Sequence, residues 1–141
     1  MKKILAGLMI SFFSFKAISQ QKKMNDLLGR WEIVNNKDSA TLEIIDSSTI
    51  TLTYNGEKKK IIDYKIDFAK NPIWFDFSTI DSSYTTVTVK SLLEIMNDNM
   101  IKWQLFVDEE RTPYFSSSKG ELFYLKKVKP VASTATAVVS N

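Results

Sequence analysis

The side chains that most often carry enzyme chemistry near neutral pH are missing from this sequence. Its 141 residues contain no histidine and no cysteine. This excludes an imidazole general base, a thiolate nucleophile, a disulfide bond and a cysteine-ligated metal. Serines are numerous, but none lies in a Gly-x-Ser-x-Gly motif. We therefore predict that the protein is not an enzyme and that it uses no cofactor.

Carboxylates are the remaining candidates for chemistry. The Asp-Glu-Glu run at residues 108–110 lacks the alternate spacing of a calcium-binding loop, so we interpret it as a surface turn and predict no metal site. Asp76 stands alone between Phe75 and Phe77 and is expected to point to solvent. A pair of carboxylates acting on a glycoside stays open as an alternative, because such partners need only meet in space.

The N-terminus has the order of a secretory signal. Lys2 and Lys3 precede an apolar run over residues 4–15, and residues 17–19 form the small-x-small cleavage site Ala-Ile-Ser. The apolar run is shorter than the roughly 20 residues that span a bilayer. We predict a signal peptide over residues 1–19, cleavage before Gln20, a periplasmic or secreted location, and no membrane span.

Removal of the signal changes the net charge of the protein. The whole sequence has 19 basic and 16 acidic residues, and the signal holds three of the basic ones, Lys2, Lys3 and Lys16. The mature chain would then carry 16 residues of each sign. A neutral protein has no general attraction to nucleic acid or to an anionic membrane, so we predict neither as a partner. The lysine run at residues 58–60 is interpreted as a solvated strand edge.

Alternation of apolar and polar side chains predicts β-strands along the rest of the chain. Residues 49–54 alternate without a fault, with Ile50, Leu52 and Tyr54 on one face and three threonines on the other. The Asn-Gly pair that follows is the strongest short-range signal for a hairpin. Eight strands are predicted in this way, over residues 30–35, 40–46, 49–54, 57–67, 73–77, 84–96, 100–107 and 121–128.

The predicted strands follow one another mostly through turns of hairpin length, and most of them have one apolar face. Such a meander must close on itself or leave two exposed edges. The predicted fold class is therefore all-β, a single up-and-down antiparallel β-barrel of about eight strands over residues 20–129. Residues 130–141 are small or polar without periodicity, and we predict a disordered C-terminal tail there.

Short motifs give this barrel a resemblance to a known family. The Gly-x-Trp at residues 29–31 resembles the opening motif of lipocalin-like barrels. Residues 64–76, around an Asn-Pro pair, are similar to the middle of a family of short bacterial lipocalin-like domains of unknown function. Residues 111–116 and 125–127 resemble the closing segments of that family. The resemblance covers residues 27–129 and implies a barrel, with no established activity.

The resemblance also implies structural roles for residues at the two ends of the domain. In lipocalins the Trp of this motif plugs the closed end of the barrel, while the Gly lets the backbone pass close to a neighbour. Trp31 and Gly29 match these positions. A basic residue of the last strand lies across the Trp ring in that pattern, and Lys126 or Lys127 would fill this role. A lysine lacks the flat fork of an arginine, so its stacking on Trp31 is expected to be weaker.

One inward stripe of side chains would line a common interior if the strands pair in sequence order. From this stripe we predict a binding site for a small apolar or amphipathic ligand, in which large rings fill space and valines leave it free. The predicted ligand-binding residues are Tyr54, Tyr64, Phe75, Val87, Val89, Trp103 and Leu105.

The alternative is a barrel with a filled interior and no ligand. Such a protein would act through its outer surface, at Trp74 or at the loop that holds Tyr114 and Phe115, on an envelope protein partner or as an inhibitor module. An unfilled interior with an open mouth favours the ligand hypothesis. A cluster of exposed aromatic side chains on a packed barrel favours the interaction hypothesis.

Overall fold

A computed structural model of the protein describes residues 22–34, 40–54 and 56–130. The predicted signal peptide, residues 35–39 and the predicted tail after Pro130 lie outside these ranges. Within them no helix has the length and apolar character needed to cross a lipid bilayer. The described residues form a 3₁₀ turn (Met24–Leu27) and the strands β1 (Gly29–Ile33), β2 (Thr41–Asp46), β3 (Thr49–Tyr54), β4 (Glu57–Lys60), β5 (Asp63–Asp67), β6 (Ile73–Ile80), β7 (Thr86–Asn97), β8 (Met100–Phe106) and β9 (Glu121–Lys127).

The nine described strands belong to one antiparallel sheet with the order β4-β3-β2-β1-β9-β8-β7-β6-β5. Neighbours in this order are also neighbours along the chain, except that β1 pairs with β9. The first and last strands thus meet, with Trp31 opposite Lys127. The sheet curls around an apolar core. This confirms the predicted all-β, barrel-like fold, built as an up-and-down meander.

The two outer strands of the sheet, β4 and β5, are consecutive in the chain. The backbone N–H of Ile61 donates to the carbonyl of Ile50 on β3 at 3.0 Å, and that of Ile62 donates to Ser78 on β6 at 2.9 Å. Two adjacent residues therefore bond to opposite sides of the gap between β3 and β6. The single strand predicted over residues 57–67 is divided at this point, which gives nine strands where about eight were predicted.

Strand alternation places the core inside the curled sheet. In β6 the side chains of Ile73, Phe75 and Phe77 are buried inside, while Trp74 and Asp76 lie on the outer face. Full burial of one such aliphatic or aromatic side chain stabilises a fold by about 1.5–3 kcal/mol. The period-two pattern of the sequence is therefore the main determinant of which face of each strand points inward.

Trp31 is fully buried where β1 meets the end of β9. Its indole Nε1 donates a hydrogen bond of 2.9 Å to the carbonyl of Leu27, the last residue of the 3₁₀ turn. Lys127 extends across the indole, with its Nζ 5.2 Å from the ring centroid. We call this part of the barrel the Trp31 end.

Of the two lysines considered for contact with Trp31, Lys127 lies over the ring and Lys126 does not. Successive residues of a strand point to opposite faces, and Lys126, which pairs with Glu32, is exposed. Lys127 therefore fills this role, and the alternative that Lys126 does so is wrong. Gly29 has a φ of +123°, and a Cβ at this position would lie 2.8 Å from Cε of Lys127. Glycine is favoured there because this φ is strained for any residue with a Cβ, and a Cβ would also force the Lys127 side chain to shift.

Residues 107–120 form a strap that folds back over the outer face of β6, β7 and β8. Gln104 on β8 holds the strap, since its side-chain amide donates to the carbonyls of Ser116 and Lys119 and accepts from the Ser116 N–H, at 2.7–2.9 Å. Further along β8, Lys102 Nζ lies 4.3 Å from the ring centroid of Phe115. The longest irregular segment of the sequence is therefore bonded to the sheet and does not hang free.

Arg111 connects the strap to the outer face of β6. Its guanidinium pairs with the Asp76 carboxylate and lies 3.8 Å from the ring centroid of Trp74. The Asp76 side chain is 32% exposed. Asp76 lies on the outer face, as expected, but its carboxylate is paired, because the strap supplies a cation that strand alternation alone cannot reveal.

Candidate functional site

A cavity of about 440 Å³ occupies the half of the barrel away from Trp31. It lies where β3 ends and β4 begins, where β6 ends and β7 begins, and where β9 begins. The lining residues at these strand ends are partly exposed, so the cavity opens to solvent there. We call this half of the barrel the mouth end. The apolar lining consists of Ala40, Leu42, Leu52, Tyr54, Phe77, Val87, Val89, Trp103, Leu105, Val107, Phe123 and Leu125.

Five of the seven predicted ligand-binding residues line this cavity. They are Tyr54, Val87, Val89, Trp103 and Leu105. The free space follows from side-chain size, because Ala40, Thr79 and the two valines face inward at the level where larger residues would fill the barrel. Deeper in the barrel the inward positions carry rings, and the cavity stops there.

Tyr64 and Phe75 do not reach the cavity. Phe75 is fully buried and stacks on Trp103 with ring centroids 5.8 Å apart. Tyr64 meets the edge of Phe75 at 6.2 Å, and its hydroxyl donates to the carbonyl of Ser47. Phe75 is one inward position further from the mouth than Phe77, which forms part of the floor of the cavity. Phe75, and Tyr64 against it, therefore lie behind that floor. The structure therefore gives them a supporting position and removes them from the lining.

Ser91 fixes the ring that forms the floor of the cavity. Its side chain is fully buried, its hydroxyl donates to the carbonyl of Phe75, and it accepts a 2.8 Å hydrogen bond from Trp103 Nε1. A buried indole N–H needs such a partner. Ser91 was not among the residues predicted for the site. Its position could have been recognised as a small polar residue at an inward position of a long strand.

The charged side chains of the lining lie at the mouth. Glu57, Lys59 and Glu121 line the cavity there. The hydroxyl of Tyr54 donates to Glu121 Oε1 at 3.1 Å, and Lys59 Nζ lies 3.7 Å from Glu57 Oε2. The lysine run was interpreted as a solvated strand edge, and one of its members, Lys59, also lines the mouth of the cavity. The run of charges at a predicted strand end could have indicated it.

Thr79 presents a polar group to the interior. It is an inward residue of β6, it is 5% exposed, and it lines the cavity. Among the described residues no group forms a hydrogen bond with its hydroxyl, and the described buried side chains leave no fully enclosed polar atom without a partner. The accessible part of the Thr79 hydroxyl therefore faces the cavity.

A tight hairpin loop over residues 81–85 lies beside the mouth. Asp81 Oδ1 accepts hydrogen bonds from the Ser83 N–H and hydroxyl and from the Thr85 N–H, at 2.7–2.9 Å. These bonds, led by the one from the Ser83 hydroxyl, lower the pKa of Asp81 below its ordinary value of 3.8, and the charge of Lys59 adds to the effect. The loop is thus held in one shape by an ionised carboxylate.

The acidic run at residues 108–110 lies outside the cavity. Glu109 accepts a hydrogen bond from the Gly120 N–H, and Glu110 lies 3.5 Å from Lys90. These contacts hold the two ends of the strap together and join it to β7. In the part of the chain that the structure describes, no three acidic side chains converge as a metal site would require.

The arrangement is suited to enclosing a small molecule, with an apolar wall, a fixed aromatic floor and a charged mouth. A scan of protein-family models, a search of curated proteins and a search of solved structures each found no match to the chain. The assignment of a function therefore rests on the cavity and on the residues that line it.

Proposed function

We propose that the protein is an exported, lipocalin-like binding protein that holds a small apolar or amphipathic molecule in the cavity of the mouth end. The observation that carries this proposal is the size and lining of the cavity. Ligand pockets in proteins occupy about 300–1,000 Å³ and are mostly apolar with a few polar groups. The volume of about 440 Å³, with charges confined to the mouth, fits the small end of that class.

The expected affinity is modest. Burial of about 100 Å² of apolar ligand surface contributes about 2.5 kcal/mol, and association costs offset part of the total. We therefore expect micromolar dissociation constants at best. Affinity would come from shape and burial, because most of the lining is apolar and its charged side chains lie at the mouth.

Export is part of the same proposal. Its support is the basic, apolar and small-residue order of residues 1–19. N-terminal sequencing of the protein from an envelope or culture-medium fraction should give Gln20 as the first residue. An N-terminus at Met1 in that fraction would contradict cleavage.

Binding can be tested with N-phenyl-1-naphthylamine, an uncharged fluorescent probe, and with the emission of Trp103. We expect saturable probe binding that Val89→Phe weakens at least several-fold, because the larger side chain fills the cavity. Val128→Phe makes the same change at a valine outside the lining and should leave binding unchanged. Trp103→Phe should remove the tryptophan signal, since Trp31 and Trp74 do not line the cavity.

Two results would overturn the proposal. One is the absence of saturable binding by the wild-type protein, and the other is equal binding by wild type and Val89→Phe. Either result would favour the interaction module, whose outer surface includes Tyr114 with 72% of its area exposed. Immobilised protein would then be used to capture envelope components, with Tyr114→Ser as the matched variant.

A further inference from the structure

The cavity has a gradient of polarity from floor to mouth. The floor is Trp103 and Phe77, whose rings lie 5.7 Å apart. The ionisable acid and base side chains of the lining, Glu57, Lys59 and Glu121, are at the opposite end. Placing a ligand charge against the floor would strip it of water without a partner, which is strongly unfavourable. An amphiphile would therefore enter with its apolar part first and leave its polar group at the mouth.

The charges of the mouth are not balanced. Lys59 already faces Glu57 at 3.7 Å, and its charge also acts on Asp81. Glu121 accepts a hydrogen bond from the neutral hydroxyl of Tyr54, and no cation of the described residues lies within ion-pair distance of it. The lining residues that the structure describes carry a net charge of one negative, and Glu121 is the carboxylate among them that no described cation pairs.

Thr79 supplies an independent indication that the ligand carries a polar group. Its hydroxyl is the nearly buried group described above that has no hydrogen-bond partner and faces the cavity. A hydrocarbon that displaced water from this hydroxyl would leave it unsatisfied, which costs about 1–3 kcal/mol. A hydroxyl both donates and accepts, so an ammonium or a hydroxyl on the ligand would pair with it.

We infer that the ligand of this cavity is a cationic amphiphile, an alkyl or aryl amine whose apolar part lies on Trp103 and whose ammonium group lies at the mouth beside Glu121. This inference rests on the proposed function and specifies its ligand class. The carboxylate of Glu121 would form the ion pair, and the hydroxyl of Thr79 would accept or donate one hydrogen bond.

The test compares three probes that share one alkyl chain and differ in charge, namely decylamine, decanol and decanoate. Each displaces N-phenyl-1-naphthylamine from the wild-type protein at neutral pH and low salt. We expect decylamine to bind about fivefold more tightly than decanol, the scale of a partly exposed ion pair, and decanoate to bind most weakly. Raising the salt concentration should reduce the difference between decylamine and decanol.

Two matched variants locate the effect. Glu121→Gln should abolish the preference for decylamine over decanol. Glu110→Gln removes a carboxylate outside the cavity, and it should leave the preference unchanged. Thr79→Val should weaken decanol and decylamine equally and should not lower the urea midpoint, because the hydroxyl it removes has no partner among the described residues.

The outcomes separate this inference from the proposed function. If decanol and decylamine bind equally, or if Glu121→Gln keeps the amine preference, the headgroup assignment is overturned and the cavity remains a binding site. If decanoate binds most tightly, the ligand class is the opposite of the one inferred. If none of the three probes displaces the dye, and the dye itself does not bind, both proposals fail.

Discussion

Three residues explain why a short motif at the start of the domain is joined to a lysine at its end. The φ of +123° at Gly29 is strained for any residue with a Cβ, and a Cβ there would lie 2.8 Å from Cε of Lys127. Lys127 can then extend over Trp31, and the indole N–H is satisfied by Leu27. The stability of the Trp31 end thus depends on a glycine, a ring and a cation from opposite ends of the sequence.

Trp31→Ala should lower the free energy of unfolding by about 3–5 kcal/mol, the usual loss for a fully buried large aromatic side chain. Trp74→Ala is the matched control, since Trp74 lies half-buried on the outer face beneath Arg111. Its loss should be smaller. Urea denaturation followed by far-UV circular dichroism gives both values. An unchanged midpoint for Trp31→Ala would contradict the role given to this ring.

Asp81 gives the protein a predictable response to acid. Its pKa is lowered in the folded state by the hydrogen bonds of its own loop, so ionised Asp81 stabilises the fold above its ordinary pKa of 3.8. That stabilisation is lost as the pH falls through the lowered value. The amide of Asp81→Asn does not titrate, and as a neutral acceptor it forms weaker hydrogen bonds than the carboxylate does. The variant should therefore be less stable than wild type near neutral pH and approach it in acid.

Urea midpoints at about pH 7 and about pH 2.5, on either side of the ordinary range of a carboxyl group, measure this difference. Asp98→Asn, in the turn between β7 and β8, serves as the control for a general change of charge. If the difference between wild type and Asp81→Asn were the same at both pH values, the loop would not depend on an ionised carboxylate.

At the scale of the elements, the strap is the part of the structure that strand patterns do not describe. Residues 107–120 have no alternation, and their position depends on Arg111, Gln104 and Phe115 finding partners on distant strands. The strap covers the outer face, where Leu92 and Phe106 are fully buried. Its effect is to give one part of the barrel wall apolar contacts on both faces.

Arg111→Ala should destabilise the protein by about 1–3 kcal/mol, because it leaves the Asp76 carboxylate unpaired and uncovers Trp74. Arg30→Ala is the control, since Arg30 is 53% exposed and its ion pairs with Glu32 and Glu43 lie at the surface. Such pairs contribute about 0–1 kcal/mol. Hydrogen exchange should rise in residues 107–120 of Arg111→Ala, while probe binding in the cavity should not change. Unaltered exchange in the strap would show that Arg111 does not hold it.

The strands themselves could be predicted from the sequence, because apolar and polar residues alternate along a strand that has one buried and one exposed face. Residues 49–54 were predicted as a strand and form β3 with the same bounds. The division of residues 57–67 could not be predicted, because the alternation continues across it and the change of partner at Ile61 and Ile62 depends on how the sheet closes.

The candidate site could be predicted only in part for a related reason. Alternation identifies which residues point inward, and this placed Val87, Val89 and Trp103 correctly in the lining. It contains no information about depth along the barrel, so Phe75 was grouped with them although it lies behind the floor. The choice between Lys126 and Lys127 depends on register, and the partner of Asp76 depends on the strap.

At the scale of the whole molecule, the nine described strands divide into two runs of hairpins, β1 to β4 and β5 to β9. Within each run every pairing joins strands that follow one another along the chain. The runs are linked covalently at Ile61 and Ile62 and are joined a second time where β1 pairs with β9. The order of the sheet therefore contains one pairing between strands that are distant in sequence.

That single distant pairing has a consequence for how the chain folds. Each hairpin closes a short loop, whereas joining β1 to β9 closes a loop that contains nearly the whole domain and loses more chain entropy. We expect both runs to form their local hairpins early and the β1–β9 ladder to form last. The contacts that join this ladder, made by Gly29, Trp31 and Lys127, would then form after the transition state of folding. Substitution of these residues would speed unfolding more than it slows folding.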